Sequence, residues 1–352
     1  MTVSLCVVAY NEESFLHNLL NDISNQTYEH SKIEVVLVNS ASTDNTRKIM
    51  EDFALSDHDF RSVIVVDNKR KKQASGWNIA ISASSGDVII RIDAHSHIPP
   101  SFTELNVKNL ESGEYVSGGV RPCIIENDSN WGKTLLRVEN SLFGSSFNKC
   151  RRGVGKTYVK TMFHAAYRRE VFAKAGGFNE NLLRTEDNEM HYRIRSAGYK
   201  LSFDSEIVSY QYARSTLERM VKQKYGNGKW IGLTLGVAPG CISPFHLVPF
   251  CFIIAILGTT TFLALGFWQL SALMWGMYAV FALVNTVLSI IQDGFLPQSL
   301  LMPFLFLILH LAYGIGTLVG VCQMPFKRNK LKYCEDIDIV RNAVLKSLEN
   351  KQ

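Results

Sequence analysis

The chain has 352 residues, a formal net charge of +5 and 20% charged residues. That length allows one large catalytic domain with a smaller appendage and excludes a small stapled module. The modest charge excludes a strongly basic nucleic-acid binder: the basic residues flank apolar segments and do not interleave with aromatics. Mean hydropathy is +0.03, high for a soluble protein, and the charges are spread very unevenly. Seven cysteines without a C-x-x-C pair read as scattered reduced thiols, not as a disulfide or zinc framework.

In the first 240 residues, strand and helix patterns alternate. VSLCVVAY (3–10) is a short β-branched apolar run, and residues 11–24 follow with helical spacing through Phe15, Leu19, Leu20 and Ile23. IEVVLVN (33–39) predicts a second strand, then a Ser/Thr-rich turn and a helix over 46–54. SVIVVD (62–67) predicts a third strand, residues 74–84 a helix ended by Gly86, and DVIIRID (87–93) a fourth strand. Continuous apolar strands separated by helices of ten or more residues indicate an α/β domain, with a mostly parallel sheet covered on both faces. The N-terminus, MTVSLCVVAYNEE, has no Lys or Arg before Lys32 and lacks the layout of a secretory signal, so the first domain is expected in the cytosol.

From Cys241 to Cys322 the only formally charged side chain is Asp293. The run divides into three apolar stretches near 246–267, 270–291 and 300–322, each about the ~20 residues needed to cross a bilayer. Arg214, Arg219, Lys222, Lys224 and Lys229 precede it; Lys327, Arg328, Lys330 and Lys332 follow. Basic flanks mark the cytosolic side, yet three full crossings would place the tail outside. Pro297 and Pro303 bracket the start of the third stretch and make it the natural candidate for a re-entrant or interfacial segment. The expected organisation is a catalytic domain over 1–235, a membrane region over 236–325, and a basic then amphipathic tail over 326–352. In that tail Ile337, Val340, Val344 and Leu348 share one helical side, suited to docking on the catalytic domain or on a partner.

Ligands bind beyond the carboxyl ends of the strands in such a sheet. Asn11 and Glu12, residues 39–44, and Asp93 with His95 should therefore line one rim. No G-x-G-x-x-G or Walker motif is present to explain that rim. In VIIRIDAHSH (88–97), Asp93 and His95 alternate at strand spacing. An acidic oxygen beside an imidazole nitrogen suits a divalent ion bridging a diphosphate, Mg²⁺ or Mn²⁺, although a surface turn would read the same way. Lys72 sits nearest the N-terminus of the 74–84 helix, where backbone N–H groups favour a phosphate. Glu186 and Asp187 open a helix with Met190, Ile194 and Ala197 on its apolar face and Gly198 at its end; capping alone would explain some of that acidity.

VVAYNEE, VLVNSASTDNT, the helix carrying Asn78, SGDVIIRIDAH and GGFNENLLRTEDNEMHYRIRSAGYKL occur in an order and spacing that resemble a family-two glycosyltransferase of GT-A fold. More narrowly the chain is similar to membrane-bound bacterial exopolysaccharide glycosyltransferases of the succinoglycan type. The resemblance covers about residues 1–235 and the membrane tail. It implies a nucleotide pocket formed by Ala9, Tyr10, Asn11 and Glu12 and shaped by Asp44, with Asn78 near the donor. Asn39 stands where the family often has an aspartate, so a uracil-like edge would meet an amide and not a charge. The resemblance makes Asp187 the general base of inverting sugar transfer, with Glu186 beside it. His164 and Tyr167 fall where relatives line the sugar pocket, and Gln223 to Trp230 (QKYGNGKW) where processive synthases carry Gln-x-x-Arg-Trp. Gly226 stands in place of that arginine, which argues for adding one or a few sugars; a plain linker on the headgroups is the other reading of the segment.

The implied partners are a nucleotide-sugar donor, a lipid-linked polyprenyl acceptor, the inner or plasma membrane and other polysaccharide-assembly proteins, with the catalytic domain cytoplasmic and no nucleic acid bound. Two alternatives stay open at this stage. One is a transferase that loads a single sugar onto polyprenyl phosphate; the other is a catalytically silent assembly subunit.

Overall fold

The computed structural model describes residues 1–126, 128–144, 153–332 and 335–350. By packing, the chain forms two units that are not consecutive in sequence. Residues 1–122, 152–211 and 332–352 make the first; 123–151 and 212–331 make the second.

The strands of the described residues, in chain order, are β1 (Val3–Ala9), β2 (Ile33–Asn39), β3 (Ser62–Asp67), β4 (Val88–Asp93), β5 (Ser96–His97), β6 (Val116–Val120), β7 (Cys123–Ile124), β8 (Lys156–Val159), β9 (Ala166–Arg168), β10 (Leu201–Val208) and β11 (Tyr210–Tyr212). The main sheet has the order β3-β2-β1-β4-β9-β6-β10-β8. β1 to β4 are mutually parallel, as their unbroken apolar runs require, and every residue of β2 and β4 is buried. The far half is mixed: β9 runs antiparallel between β4 and β6, and β8 antiparallel beside β10. The first core packs Val3, Leu5 and Val7 of β1 with Leu16, Leu19 and Ile23 of the helix Glu13–Ser24 and with Ile90 and Ile92 of β4.

The tail belongs to this unit. Its helix, Asp336–Glu349, buries Ile337, Val340 and Val344 and packs against the helices Arg169–Ala175 and Gln73–Ala83. Gly177 N–H donates to Ile337 O at 3.0 Å. Gly176 lies at φ +76°, and a Cβ there would come within 2.5 Å of Ile337 Cγ2, so a glycine is needed on both counts. The tail helix packs on the first unit, one of the two docking choices left by the sequence.

The second unit holds β7 and the helices Asn130–Asn140, Leu217–Thr234, Val248–Ala264, Trp268–Asp293 and Met302–Lys332. Leu135, Val138, Met220, Ala282, Met302, Leu305, Phe306 and Leu309 form its core. The helices Leu217–Thr234 and Met302–Lys332 meet backbone to backbone. A Cβ on Gly228 would lie 2.0 Å from Tyr313 O, and one on Gly320 2.1 Å from Lys229 O, so small residues four apart on each helix permit the approach. Three segments are long and apolar enough to cross a membrane: Pro244–Ala264, Trp268–Asp293 and the helix that begins after the turn Pro297–Leu301. Lys224 is not at the headgroups; it is buried in an ion pair with Glu139 at 2.9 Å.

Candidate active site

The strand registers bring the rim together. Ala9, Asn39 and Asp67 are consecutive neighbours across β1, β2 and β3, and Asp93 lies beside Val8. Beyond these ends two loops lock onto each other. Asn11, in a left-handed conformation at φ 54°, accepts from Thr43 N–H at 2.8 Å through Oδ1 and donates its own N–H to Ser42 Oγ at 3.1 Å. Asp44 accepts from Thr46 N–H (3.0 Å) and Glu13 N–H (3.3 Å), which starts the helix Thr46–Leu55 and joins it to the first loop. Asn39 Oδ1 accepts from Ser42 N–H, and its amide donates to Asp67 at 3.3 Å. The amide at position 39 thus has a carboxylate beside it, supplied by β3 and itself held by Arg47 at 3.0 Å. Tyr10 is half exposed above this floor, while Ala9 is buried.

Lys72 and Asn78 are committed to the protein. Lys72 Nζ donates to Glu180 O at 3.0 Å. The buried Asn78 side chain donates to Phe178 O (2.9 Å) and Glu180 Oε1 (3.0 Å) and accepts from Phe178 N–H (2.6 Å). Both residues hold the 177–180 turn in place, and both amide hydrogens of the buried Asn78 are spent there. Arg70 reinforces the same turn, pairing with Glu180 and Asp336 at 2.7 Å each.

Asp93 is the hub. As the last residue of β4 it turns inward, 8% exposed, with Oδ1 3.4 Å from Arg91 Nη2 and Oδ2 3.4 Å from Arg121 Nη1 and 3.3 Å from His164 Nε2. Burial alone would raise its pKa; Arg91, His164 and Arg121 overcome that and hold the carboxyl well below the usual range. Arg91 lies over the Trp77 ring at 4.6 Å, and Arg121 over the Phe163 ring at 3.5 Å. His164, buried and at φ 35°, bonds Ser209 Oγ at 2.9 Å through Nδ1; burial pushes it down to about 4, so it is neutral.

His95 does not continue the strand, because β4 ends at Asp93 and a turn carries residues 94 and 95. The expectation of two side chains alternating along one strand therefore fails locally, and His95 approaches from the loop. Its Nδ1 is 3.0 Å from Glu12 Oε1 and its Nε2 3.2 Å from the Gln211 amide nitrogen. A carboxylate only accepts, so Nδ1–H donates to Glu12, and Nε2 accepts from the Gln211 amide. His97 pairs instead with Asp22 at 2.7 Å and stacks on Tyr210.

Glu186 and Asp187 open the helix Glu186–Ser196 with Thr185 before them. Asp187 Oδ1 accepts from Asn188 N–H, a free first-turn donor, at 2.7 Å, and Asp187 is partly exposed while Glu186 is 4% exposed. Burial and then the neighbouring Asp187 push Glu186 up to about 7; burial also raises Asp187, opposed by Arg91. One turn along, His191 joins Tyr167 Oη (2.8 Å) and Thr161 Oγ1 (3.1 Å) and is buried neutral. Tyr167 therefore supports the floor below the acidic pair. Gln223 and Trp230, half-buried on the helix Leu217–Thr234, belong to the second unit.

Sequence reasoning missed Arg91, Arg121 and His191. Arg91 had a signal: a lone cation inside the apolar strand VIIRID. His191 also had one, being four residues after Asp187 on a helix. Arg121 had none, since only the antiparallel insertion of β9 brings β6 toward β4.

An α/β sheet with an acidic residue ending its fourth strand and an acidic pair at a later helix start is the architecture of a GT-A sugar transferase. Residues 4–176 match Glycosyl transferase family 2, and residues 150–315 match Glycosyl transferase family 21. The chain is a glycosyltransferase built on a family 2 domain. It is 26% identical over 329 residues to the succinoglycan biosynthesis protein ExoA of Rhizobium meliloti (strain 1021), covering 90% of this chain and 94% of that one. It is 23% identical over 328 residues, 91% of this chain and 97% of the other, to the dolichyl N-acetyl-alpha-D-glucosaminyl phosphate 3-beta-D-2,3-diacetamido-2,3-dideoxy-beta-D-glucuronosyltransferase of Methanococcus voltae. In fold it is similar to the mannosyltransferase PcManGT from Pyrobaculum calidifontis, solved with GDP-Man and Mn²⁺: TM-score 0.52, 19% identity, 93% of this chain and 86% of that one.

Proposed function

We propose that the chain transfers a sugar from a nucleotide-sugar donor to a lipid-linked saccharide acceptor, with inversion, during cell-surface glycan synthesis. The observation that supports it most is the convergence of Asp93, Arg91, Arg121 and the Glu186–Asp187 pair at the carboxyl edge of the sheet. Near full-length likeness to two relatives whose names specify glycan-building activities supports the acceptor class. The catalytic unit is assigned to the cytoplasmic face of the inner or plasma membrane, and polysaccharide-assembly proteins are proposed neighbours.

Asp187 takes the proton of the acceptor hydroxyl as the oxygen attacks the anomeric carbon. Its partial exposure admits a hydroxyl, and its raised pKa makes it a stronger base than a surface aspartate. Glu186, pushed up to about 7, carries its proton part of the time at neutral pH, which lessens the repulsion between the two adjacent carboxyls. Arg91 and Arg121 add fixed positive charge around Asp93. The interlocked loops at Asn11 and Asp44 shape the nucleoside pocket, and Asn39 with Asp67 presents the base-reading edge.

Asp93 and His95 would hold a Mg²⁺ or Mn²⁺ ion. Among the described residues no cluster of three His, Cys, Asp or Glu forms a closed metal site. The donor types suit an open site, since Glu12 orients His95 as second-layer carboxylates orient metal-binding imidazoles, and to hold the ion Asp93 and His95 would exchange their present partners, Arg91, Arg121, His164 and Gln211, for it. When bound, the ion neutralises charge gathering on the departing diphosphate.

The test offers purified protein a panel of nucleotide sugars, with and without Mn²⁺, together with polyprenyl phosphate or polyprenyl-diphosphate sugars. Turnover of the saccharide-bearing lipid supports the reading; turnover of bare polyprenyl phosphate alone overturns it. Donor hydrolysis by wild type but not by Asp187→Asn excludes a silent subunit.

A further inference from the structure

The three apolar segments pose a counting problem that the packing resolves. The stretch 123–151 leaves the catalytic unit and rejoins it, and contains no apolar run of the roughly 18 residues needed to cross, so it stays on the catalytic side. Its helix Asn130–Asn140 presents Arg137, 9% exposed, to the far end of the second apolar helix. Arg137 donates to Asp293 O at 2.5 Å, to Gly294 O at 2.7 Å and to Ser299 Oγ at 3.0 Å. The end of Trp268–Asp293 and the start of the third segment are thereby fixed on the catalytic side.

The other end of the third segment is fixed too. Met302–Lys332 is followed within a few residues by Asp336–Glu349, the helix docked on the catalytic unit through Ile337, Val340 and Val344. A segment that begins and ends on one side crosses an even number of times, and one continuous helix cannot cross twice.

From this the geometry points to a two-crossing protein: the hairpin Pro244–Ala264 and Trp268–Asp293 spans the bilayer, and Met302–Lys332 lies along the catalytic-side boundary. Burial agrees. Within the apolar windows 6% and 17% of the hairpin residues are buried by protein, as a lipid-facing pair should be, against 39% for the third segment. At 21 and 26 residues the hairpin arms cover roughly 32 and 39 Å as helix, enough for a hydrocarbon core of about 30 Å. The connecting turn, Leu265 to Phe267, carries no charge to resist translocation. The third helix packs along Leu217–Thr234, whose Lys222, Lys224 and Lys229 bar it from the hydrocarbon centre. It ends in exposed Lys327, Arg328 and Lys330, suited to headgroups on the catalytic side. Its outward Phe304, Ile308 and Ile315 rest in the acyl boundary.

This placement is independent of the sugar-transfer reading. The full chain is given one epitope at a time, at the N-terminus, after Gly266, after Gln298 or after Gln352, and antibody access is measured in sealed vesicles of both orientations. Where an insertion blocks accumulation, a membrane-impermeant maleimide on Phe267→Cys and Gln298→Cys, scored against the unsubstituted protein, reads the same positions. The expected result places position 266 opposite the N-terminus, with 298 and 352 on the N-terminal side. A C-terminus on the side of 266 would mean three crossings, and a 266 site on the N-terminal side none; either overturns the inference.

Discussion

Arg91→Met is the most informative single change in the catalytic unit. Arg91 lies 3.4 Å from the buried Asp93 carboxylate, with its guanidinium over the Trp77 ring. At an effective dielectric of about 20, that separation corresponds to roughly 5 kcal/mol of attraction. Arg121 and His164 still face Asp93, so the expected net loss is about 3 kcal/mol, the low end for breaking a buried pair. Met fills much of the space, which keeps cavity effects small. Unfolding is read by pulse proteolysis in detergent, alongside Asp93→Asn and the double variant. Removing both charges should recover at least about 1 kcal/mol relative to Arg91→Met alone. The sign with pH follows from the depressed Asp93 pKa, whose stabilisation is present above the unfolded value and lost as pH falls through the folded one. In Arg91→Met the folded value moves up toward the unfolded one, so the stability lost to acid through this carboxyl should be smaller than in wild type and confined to a narrower pH window. A loss under about 1 kcal/mol with no coupling in the double variant would refute the hub described for Asp93.

The other predictions concern activity and packing. Asp187→Asn should lower kcat by about 10²–10⁴-fold while donor binding persists, measured by steady-state transfer and by nucleotide titration. Because burial raises Asp187, transfer should fall as pH drops through a value above that of an ordinary aspartate; removing Arg91, which lowers it, should move that acid limb to higher pH. Glu12→Gln loosens the orientation of His95 and should raise the Mn²⁺ concentration for half-activation by about 10–100-fold, while His95→Gln should abolish metal response. Gly316→Leu would drive a Cβ to 2.2 Å from Tyr225 O and should cost about 1–3 kcal/mol, seen as a lowered Tm in detergent.

The near half of the fold was legible because it rests on short-range pattern. The expected strands at 3–10, 33–39, 62–67 and 87–93 fall on β1 to β4 within a residue or so, and the apolar segments fall where length and hydropathy place them. What the pattern could not carry was long-range pairing. His164 meets Asp93 because β9 inserts antiparallel beside β4, and no local periodicity encodes that neighbour. Asn78 illustrates the opposite limit: its position on a helix was readable, but its amide serves the 178–180 turn a hundred residues away. His95 was misplaced by one step of geometry, a strand that stops at Asp93.

The docking of Asp336–Glu349 sets an order on biosynthesis. The helix that covers Gly176 and Gly177 and gives Arg70 its second acceptor, Asp336, is translated after every hydrophobic segment. A nascent chain already threaded into lipid still lacks this closing piece, so maturation of the sugar-handling half follows insertion of the anchor.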